Sequence, residues 1–122
     1  MDKHLIYEYS ENLYKYCSKE TCYEKVRAKW TSDNRFWGHC AVISLLIQDK
    51  FGGDIKRCEL PEEGVSHFYN FIDGEDIDVT IGQYNYSPIK SKVKDVIRDD
   101  LLSNSSTAER YMLLKNRLEN KK

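Results

Sequence analysis

The chain has 122 residues, enough for one domain with its own apolar core, so we expect a single domain over residues 1–122. Its 19 basic and 20 acidic residues nearly cancel to a formal net charge of -1, which argues against the basic stripe of a nucleic-acid-binding protein. No apolar leader follows Met1, and the most apolar run, Ala41 to Ile47, is far shorter than the roughly 18 residues of a membrane span. We therefore expect a cytoplasmic protein without membrane association, whose four cysteines are reduced.

Two helices are predicted before residue 31. Apolar and aromatic side chains recur at helical spacing from Leu5 to Cys17, which predicts the first helix. A second helix is predicted over about Thr21 to Trp30. Both are expected to pack on the sheet or beside the helix that follows them.

The most apolar helix of the chain is predicted to begin at Cys40. The run from Ala41 to Ile47 is apolar nearly all round, and Gly52 and Gly53 then provide a stop signal. Such a helix is buried, and its first turn offers free N–H groups and the positive dipole end, which favour a thiolate over a thiol. Cys40 is therefore a candidate nucleophile. The alternative is that it is a small buried hydrophobe.

A β-hairpin is predicted after this helix. Asp54 to Leu60 is predicted as a strand, and the two runs Val65 to Ile72 and Glu75 to Ile81 flank the dipeptide Asp73-Gly74. That dipeptide is typical of a hairpin with a two-residue loop. We therefore expect an antiparallel sheet of at least three strands.

The hairpin register brings a histidine and a carboxylate together. A two-residue loop sets Ile72 against Glu75, Tyr69 against Asp78 and His67 against Thr80. His67 and Asp78 are then diagonal neighbours on one face, with backbones roughly 7 to 8 Å apart. Asp78 is thus predicted to orient His67, which acts as the base for Cys40.

Several features leave this assignment open. A three-residue loop would move Asp78 to the face opposite His67, and Asp76 shares the face of Asp78 in the preferred register. His39 is a second candidate base because it precedes Cys40 directly. A half-buried histidine bonded to a carboxylate is also common without catalysis.

Two more helices are predicted near the carboxyl end. The first runs over Val93 to Leu102 and stops at the polar cluster of residues 103–106. Ser106 or Thr107 is expected to cap the second. Arg110 in this last helix is predicted to be structural, because nothing near it in the sequence makes a bidentate anion site.

Four sequence blocks resemble the YunG-like family of small bacterial proteins and follow the order found in that family. The resemblance covers most of the chain from about Trp30 onward, and the blocks are residues 37–55, 66–70, 73–84 and 107–118. It implies a fold more than a function. His39 departs from the family pattern, in which Gln commonly precedes the cysteine.

The Cys, His, Asp order also resembles the papain-like superfamily, including transglutaminase-like folds. This resemblance implies an α+β fold with a papain-like arrangement, in which a buried helix carrying Cys40 packs on a small antiparallel sheet between N- and C-terminal helices. Papain-like proteases place an amide side chain shortly before the cysteine, and Asn34 lies six residues before Cys40. Asn34 and the Cys40 N–H are therefore candidate donors to an oxyanion. Otherwise, residues 31–34 form a polar loop.

These patterns predict a cysteine-dependent hydrolase or acyltransferase that acts on an amide or thioester carbonyl of a small-molecule or peptide substrate. No cofactor is implied, and although Cys40, Cys58 and His67 could supply zinc ligands, their spacing matches no familiar metal site. One alternative is a non-catalytic domain that binds a ligand or peptide on the same scaffold. Another is a redox-sensing thiol with Cys58 as its resolving partner. The oligomeric state is open.

Overall fold

The computed structural model describes residues 2–120, which form an α+β fold. The α-helices are α1 (Lys3–Tyr14), α2 (Cys40–Phe51), α3 (Arg98–Leu102) and α4 (Ser105–Glu119). The strands are β1 (Asp54–Leu60), β2 (Val65–Ile72), β3 (Glu75–Ile77) and β4 (Ser91–Val96). Short 3-10 helices occupy Lys19–Thr21, Glu24–Lys29 and Ile81–Gln83. No helix within residues 2–120 is long and apolar enough to cross a bilayer.

The four strands form one antiparallel sheet in the order β3-β2-β1-β4. The predicted two-residue hairpin loop is confirmed, because Ile72 pairs with Glu75 and both Asp73 and Gly74 have positive φ, at 52° and 79°. The β2–β3 ladder ends at the pair Asn70 and Ile77. The predicted pairings of Asp78 and Thr80 with β2 are therefore absent from the ladder, and the chain leaves the sheet at Asp78.

Helix α2 lies at the centre of the apolar core, as its sequence predicts. It begins at Cys40 and ends at Phe51, where Gly52 adopts a φ of 76°. It packs on β2, and the Asn70 side chain donates a hydrogen bond to the Ser44 carbonyl at 3.0 Å across this contact. Helices α1 and α4 contact α2 as well. The buried core members are Ile6, Leu13, Cys17, Val42, Ile43, Leu45, Leu46, Ile47, Ile55, Ile72, Ile77, Tyr111 and Leu114.

Two predicted helices differ from the structure. The segment predicted as helical over Thr21 to Trp30 forms a 3-10 helix at Glu24–Lys29, with no buried residue in it. The segment predicted as helical over Val93 to Leu102 is divided between β4 and the five-residue helix α3. Because β4 pairs with β1, which lies far away in sequence, the sheet overrides the local helical pattern.

The last helix begins earlier than predicted. Its N-cap is Asn104, whose side chain accepts a hydrogen bond from the Thr107 backbone N–H at 3.0 Å, so neither Ser106 nor Thr107 is the cap. The N-terminal end of α4 consequently starts one turn nearer to α3. Arg98 of α3 ties the two C-terminal helices to α2, because it contacts Asp49 at 2.6 Å and Tyr111 at 3.0 Å.

Candidate functional site

Cys40 is the first residue of α2 and is half-buried. His39 at the N-cap makes no side-chain capping bond, so the first N–H groups of the helix keep no partner from that side chain. The turn before the helix depends on Gly38, which has a φ of 73°. This placement puts the thiol at the positive end of the helix dipole.

His67 on β2 and Asp78 just after β3 are bonded to each other. The Nε2 atom of His67 lies 2.8 Å from Oδ2 and 3.0 Å from Oδ1 of Asp78. His67 is fully buried, and the Asp78 side chain is only 9% exposed. Because a carboxylate can only accept, Nε2 carries the proton of this bond. Asp78 thereby fixes the imidazole ring and leaves Nδ1 for another partner.

The Nδ1 atom of His67 is directed to the neighbourhood of Cys40. It is buried and forms no hydrogen bond of ordinary geometry within residues 2–120. Burial alone would lower the pKa of His67, but hydrogen bonding to Asp78 and to Cys40 raises that pKa to about 9. Cys40 is thus a neighbour of His67 that acts on the pKa of the ring.

A lysine also holds Asp78. Lys90 Nζ lies 2.7 Å from Asp78 Oδ2 and 4.0 Å from the centre of the Tyr69 ring. Tyr69 stacks against His67 with ring centres 6.2 Å apart. The carboxylate is therefore shared between two cations, and the imidazole is confined by an aromatic neighbour. Sequence reasoning missed Lys90, because nothing in its local sequence marks it as a partner of Asp78.

A cleft of about 740 Å³ opens at Cys40. Its walls come from the N-terminal end of α2, the 3-10 helix at Glu24–Lys29, strands β1 and β2, and the start of α4. Cys40 reaches this cleft, whereas His67 is fully buried behind it. The space is of the size that proteins use for small ligands. A substrate can therefore reach the Cys40 sulfur from this cleft.

Tyr84 lines the cleft beside Cys40. Its ring meets His67 edge-on with centres 6.2 Å apart. Burial raises the pKa of Tyr84, and a thiolate at Cys40 raises it further. The Tyr84 hydroxyl makes no hydrogen bond to any residue within 2–120, and its raised pKa keeps it a neutral donor in a residue that lines the same cleft as Cys40. The sequence block that ends in Gly82-Gln83-Tyr84 belonged to the family resemblance, yet the residues alone gave Tyr84 no role.

The structure places the Asn34 side chain against the Gln83 segment. Its Nδ2 atom donates to the Gln83 carbonyl at 2.9 Å, and Asn34 lies in a smaller neighbouring pocket of about 310 Å³. The Gln83 side chain in turn accepts from the Gly38 N–H at 3.0 Å and donates to the Thr80 carbonyl at 3.0 Å. Asn34 thus supports the Gln83 segment that holds the turn before Cys40, and one of the two N–H donors of its amide is used there.

His39 is not arranged as the base for Cys40. Its Nδ1 lies 2.8 Å from the Trp37 carbonyl and its Nε2 lies 2.6 Å from the Thr21 hydroxyl, so both ring nitrogens are engaged. The carbonyl can only accept, which makes Nδ1 the donor and Nε2 the acceptor. Burial lowers the pKa of His39 to about 4, and the ring is neutral in this setting. Of the two histidines proposed as bases, only His67 has a nitrogen left for the thiol.

The remaining cysteines lack the features of a reactive thiol. All four are free, and only Cys40 is more than marginally exposed. Burial raises the pKa of Cys17 to about 12 and that of Cys22 to about 11. Burial also raises the pKa of Cys58, the residue that faces His67 across the β1–β2 pair. A resolving role for Cys58 would therefore need a thiol that water does not reach.

Within the described residues, no group of three or more His, Cys, Asp or Glu side chains is arranged to hold a metal ion. The structure brings together three of the four predicted site residues, namely Cys40, His67 and Asp78, and places Asn34 apart from them. Asp76, the alternative orienter, is exposed on β3. The bond from His67 to Asp78 resolves that alternative in favour of Asp78.

Comparisons with known proteins place the chain in a family. A family model described as YunG protein matches residues 6–122. A Bacillus subtilis (strain 168) protein described as "Uncharacterized protein YunG" is 38% identical over 76 residues, which cover 62% of this chain and 64% of that protein. The aligned part is thus less than two thirds of the length of that relative. No solved structure matches the chain.

Proposed function

The chain belongs to the YunG family, and we propose that this member is a cysteine-dependent hydrolase or acyltransferase with a papain-like arrangement that acts on an amide or thioester carbonyl. One observation carries the proposal. The buried imidazole of His67 is bonded through Nε2 to Asp78, while its other nitrogen is unpartnered and faces Cys40. An orphaned buried nitrogen costs stability, so its retention beside a thiol supports a role in proton transfer.

The first half of the reaction forms a thioester on the protein. The Cys40 thiolate attacks the carbonyl carbon, the new S–C bond forms, and the carbonyl oxygen takes the negative charge. Collapse of this intermediate breaks the bond to the leaving group, which accepts the Nδ1 proton of His67. A raised pKa suits His67 to this step, because the ring holds its proton until the leaving group needs it.

The second half releases the acyl group. Water in a hydrolase, or another nucleophile in a transferase, gives a proton to His67 and attacks the thioester carbon. The S–C bond then breaks and Cys40 leaves as the thiolate. Asp78 keeps the ring oriented through both halves by accepting from Nε2.

We expect the hydrogen-bond donors to the oxyanion at the N-terminal end of α2. The Cys40 backbone N–H is at the free end of the helix, and the Tyr84 hydroxyl lines the same cleft without a partner. We assign the oxyanion to these two groups, with Asn34 acting through Gln83 to position the turn at Gly38. Preorganised donors of this kind are a large catalytic contribution.

The proposal is tested by trapping the acyl group. The protein is mixed with 4-nitrophenyl acetate, release of nitrophenol is followed, and the acetylated peptide is identified by mass spectrometry after an acid quench. We expect a burst of one nitrophenol per chain, followed by turnover, with the acetyl group on Cys40.

Two serine variants serve as a matched pair. Cys40→Ser should remove the burst, while Cys22→Ser, which changes a buried thiol that donates to the Trp37 carbonyl at 3.2 Å, should keep it. Acetylation of Cys40 no faster than that of a thiol in an unfolded peptide would overturn the proposal. It would favour the domain that binds a ligand or peptide without catalysis.

A further inference from the structure

Arg110 is a buried cation whose nearest carboxylate lies beyond hydrogen-bond distance. It lies on α4 and is only 6% exposed. Its Nε is 3.4 Å from the Ser106 hydroxyl and its Nη2 is 3.3 Å from the Thr107 hydroxyl, both long contacts to neutral groups. The nearest carboxylate, Glu24, is 3.8 Å from Nε and also accepts from Ser106 at 2.6 Å. The Tyr23 ring also lies 5.5 Å from the guanidinium carbon. These contacts hold the guanidinium in place, but none of them is a hydrogen bond to a carboxylate.

A buried cation destabilises the fold unless another interaction compensates it. Removing a charge from water costs several kcal/mol unless a well-oriented partner compensates it. Burial does lower the pKa of Arg110, although Glu24 and a thiolate at Cys40 oppose this effect. Packing alone would be served equally well by an uncharged side chain. The cost therefore suggests that an anion completes this site.

Arg110 lies at the wall of the cleft that contains Cys40. Arg110 and Cys40 both line this cleft. The Nη1 atom makes no hydrogen bond to any residue within 2–120 and is not sealed from solvent. The fork formed by Nη1 and Nη2 thus retains donors on the side where a ligand would lie. A guanidinium fork matches the planar pair of oxygens in a carboxylate.

The other charged residues that line the cleft also favour an anionic ligand. Lys25, Lys29 and Arg57 line it together with Arg110, against the two carboxylates Glu63 and Asp100. Arg57 is engaged by the Ser66 hydroxyl at 2.6 Å, and the two lysines are exposed at the rim. The cationic excess would attract an anionic substrate, while the buried Arg110 would fix its position.

Resting on the proposed function, we propose that the acyl substrate of Cys40 carries a carboxylate, and that Arg110 binds this carboxylate and determines specificity. The carboxylate lies against the free edge of Arg110 while the reacting carbonyl reaches Cys40 in the same cleft. The chemical class is an amide or thioester that bears a carboxylate on its acyl portion.

Two alkylating agents of nearly the same size test this inference. Iodoacetate carries a carboxylate and iodoacetamide does not, and both replace iodide with the Cys40 sulfur. The ratio of the iodoacetate rate to the iodoacetamide rate at Cys40 is measured by peptide mass spectrometry at pH 7. Arg110→Gln should lower this ratio by about tenfold, because a close charge pair is lost.

Matched variants define the control. Lys92→Gln removes a charge from an exposed side chain on β4, outside the cleft, and should leave the ratio unchanged. Arg110→Lys keeps the charge but loses the planar fork, and should give an intermediate ratio. If Arg110→Gln does not fold, the ratio of the iodoacetate rate to the iodoacetamide rate in Arg110→Lys is compared with that of wild type instead. An equal ratio in wild type and in the folded Arg110 variant overturns the inference.

A binding measurement separates this inference from the proposed function. Succinamic acid, whose carboxylate is on the acyl portion of its amide, and its uncharged amide, succinamide, are titrated into ¹⁵N-labelled protein, and the backbone amide signals around Cys40 and Arg110 are followed. The acid should give saturable shifts that Arg110→Gln abolishes, and the amide should give none. Failure of Cys40 to react with either alkylating agent would count against catalysis, whereas equal binding of acid and amide would count against the carboxylate site.

Discussion

His67 Nε2 and Asp78 Oδ2 are 2.8 Å apart, although the β2–β3 ladder has already ended when the chain reaches Asp78. The tight turn at Asp73 and Gly74 sets the register that starts Asp78 on the face of His67. Lys90 then contacts the same oxygen, Asp78 Oδ2, at 2.7 Å. Local turn geometry and a distant lysine together place the group that orients the imidazole.

The two buried histidines should titrate at opposite ends of the pH range. Burial opposes the charge on His67, but Asp78 and Cys40 raise its pKa to about 9, whereas burial lowers the pKa of His39 to about 4. Histidine ¹⁵N chemical shifts followed against pH measure both values. Asp78→Asn should bring the pKa of His67 well below 9, since a neutral amide does not stabilise the imidazolium. An unchanged His67 titration in that variant would refute the assigned pair.

Stability should depend on pH in a bell-shaped manner. Because the pKa of His39 is lowered in the fold, the unfolded chain binds a proton below about pH 6.5 that the folded chain does not bind. The free energy of unfolding therefore falls as the pH falls from about 6.5 toward 4. The raised pKa of His67 gives a contribution that is full below about 6.5 and is lost as pH rises through about 9. Urea titrations should therefore show the highest free energy of unfolding near pH 6.5.

A histidine variant isolates the alkaline limb of that curve. In wild type, the shift in the His67 pKa from 6.5 to about 9 should lower the free energy of unfolding by on the order of 3 kcal/mol as pH rises above 6.5. His67→Gln should remove this loss and leave the loss of stability at acid pH unchanged. The same alkaline decline in wild type and variant would show that His67 is not the group that titrates.

Gly38→Ala should destabilise the protein and displace Cys40. Gly38 has a φ of 73°, and a β-carbon there would lie 2.5 Å from the Cys22 sulfur and 2.9 Å from the Val26 Cγ2 atom. We expect a loss of about 2 kcal/mol or more in the free energy of unfolding, from backbone strain and overpacking together. Gly64→Ala is a matched control, because φ there is 66° but its β-carbon would meet no atom within 4 Å. Equal losses would show that the clash at Cys22 is unimportant.

Tyr84→Phe should slow acylation without weakening the fold. The hydroxyl makes no hydrogen bond within residues 2–120, while the ring keeps its contacts with His67 and Trp37 at 6.2 and 5.9 Å. Loss of an oxyanion donor should reduce the acetylation rate of Cys40 by about a hundredfold. The melting temperature serves as the control and should not change. A wild-type acetylation rate in Tyr84→Phe would remove Tyr84 from the oxyanion site.

Sequence patterns predicted the parts of this protein that depend on local signals. Helix α2 was predicted from the apolar run after Cys40 and the stop at Gly52. The hairpin loop, and with it the approach of His67 to Asp78, was predicted from the Asp73-Gly74 turn. These predictions succeed because hydrophobic periodicity and turn chemistry depend on only a few neighbouring residues.

The sequence could not reveal contacts that depend on distant partners. Strand β4 forms because β1 is available to pair with it, so its local helical pattern misled the prediction. Lys90 reaches Asp78, and Arg110 enters the cleft, only through the packing of separate elements. Asn34 was assigned by its distance from Cys40 along the chain, whereas its amide is held by the Gln83 carbonyl. Side-chain partners of this kind are set by tertiary structure.

The most direct test of the central claim is the rate at which iodoacetamide modifies each cysteine at pH 7, in wild type and in His67→Gln. Burial raises the pKa of Cys17, Cys22 and Cys58, so these thiols should be protected in the folded protein. We expect Cys40 to react at least about tenfold faster than any of them, and His67→Gln to remove most of this advantage. A Cys40 rate that is equal to theirs, or that does not respond to the loss of His67, would contradict the pairing of Cys40 with His67.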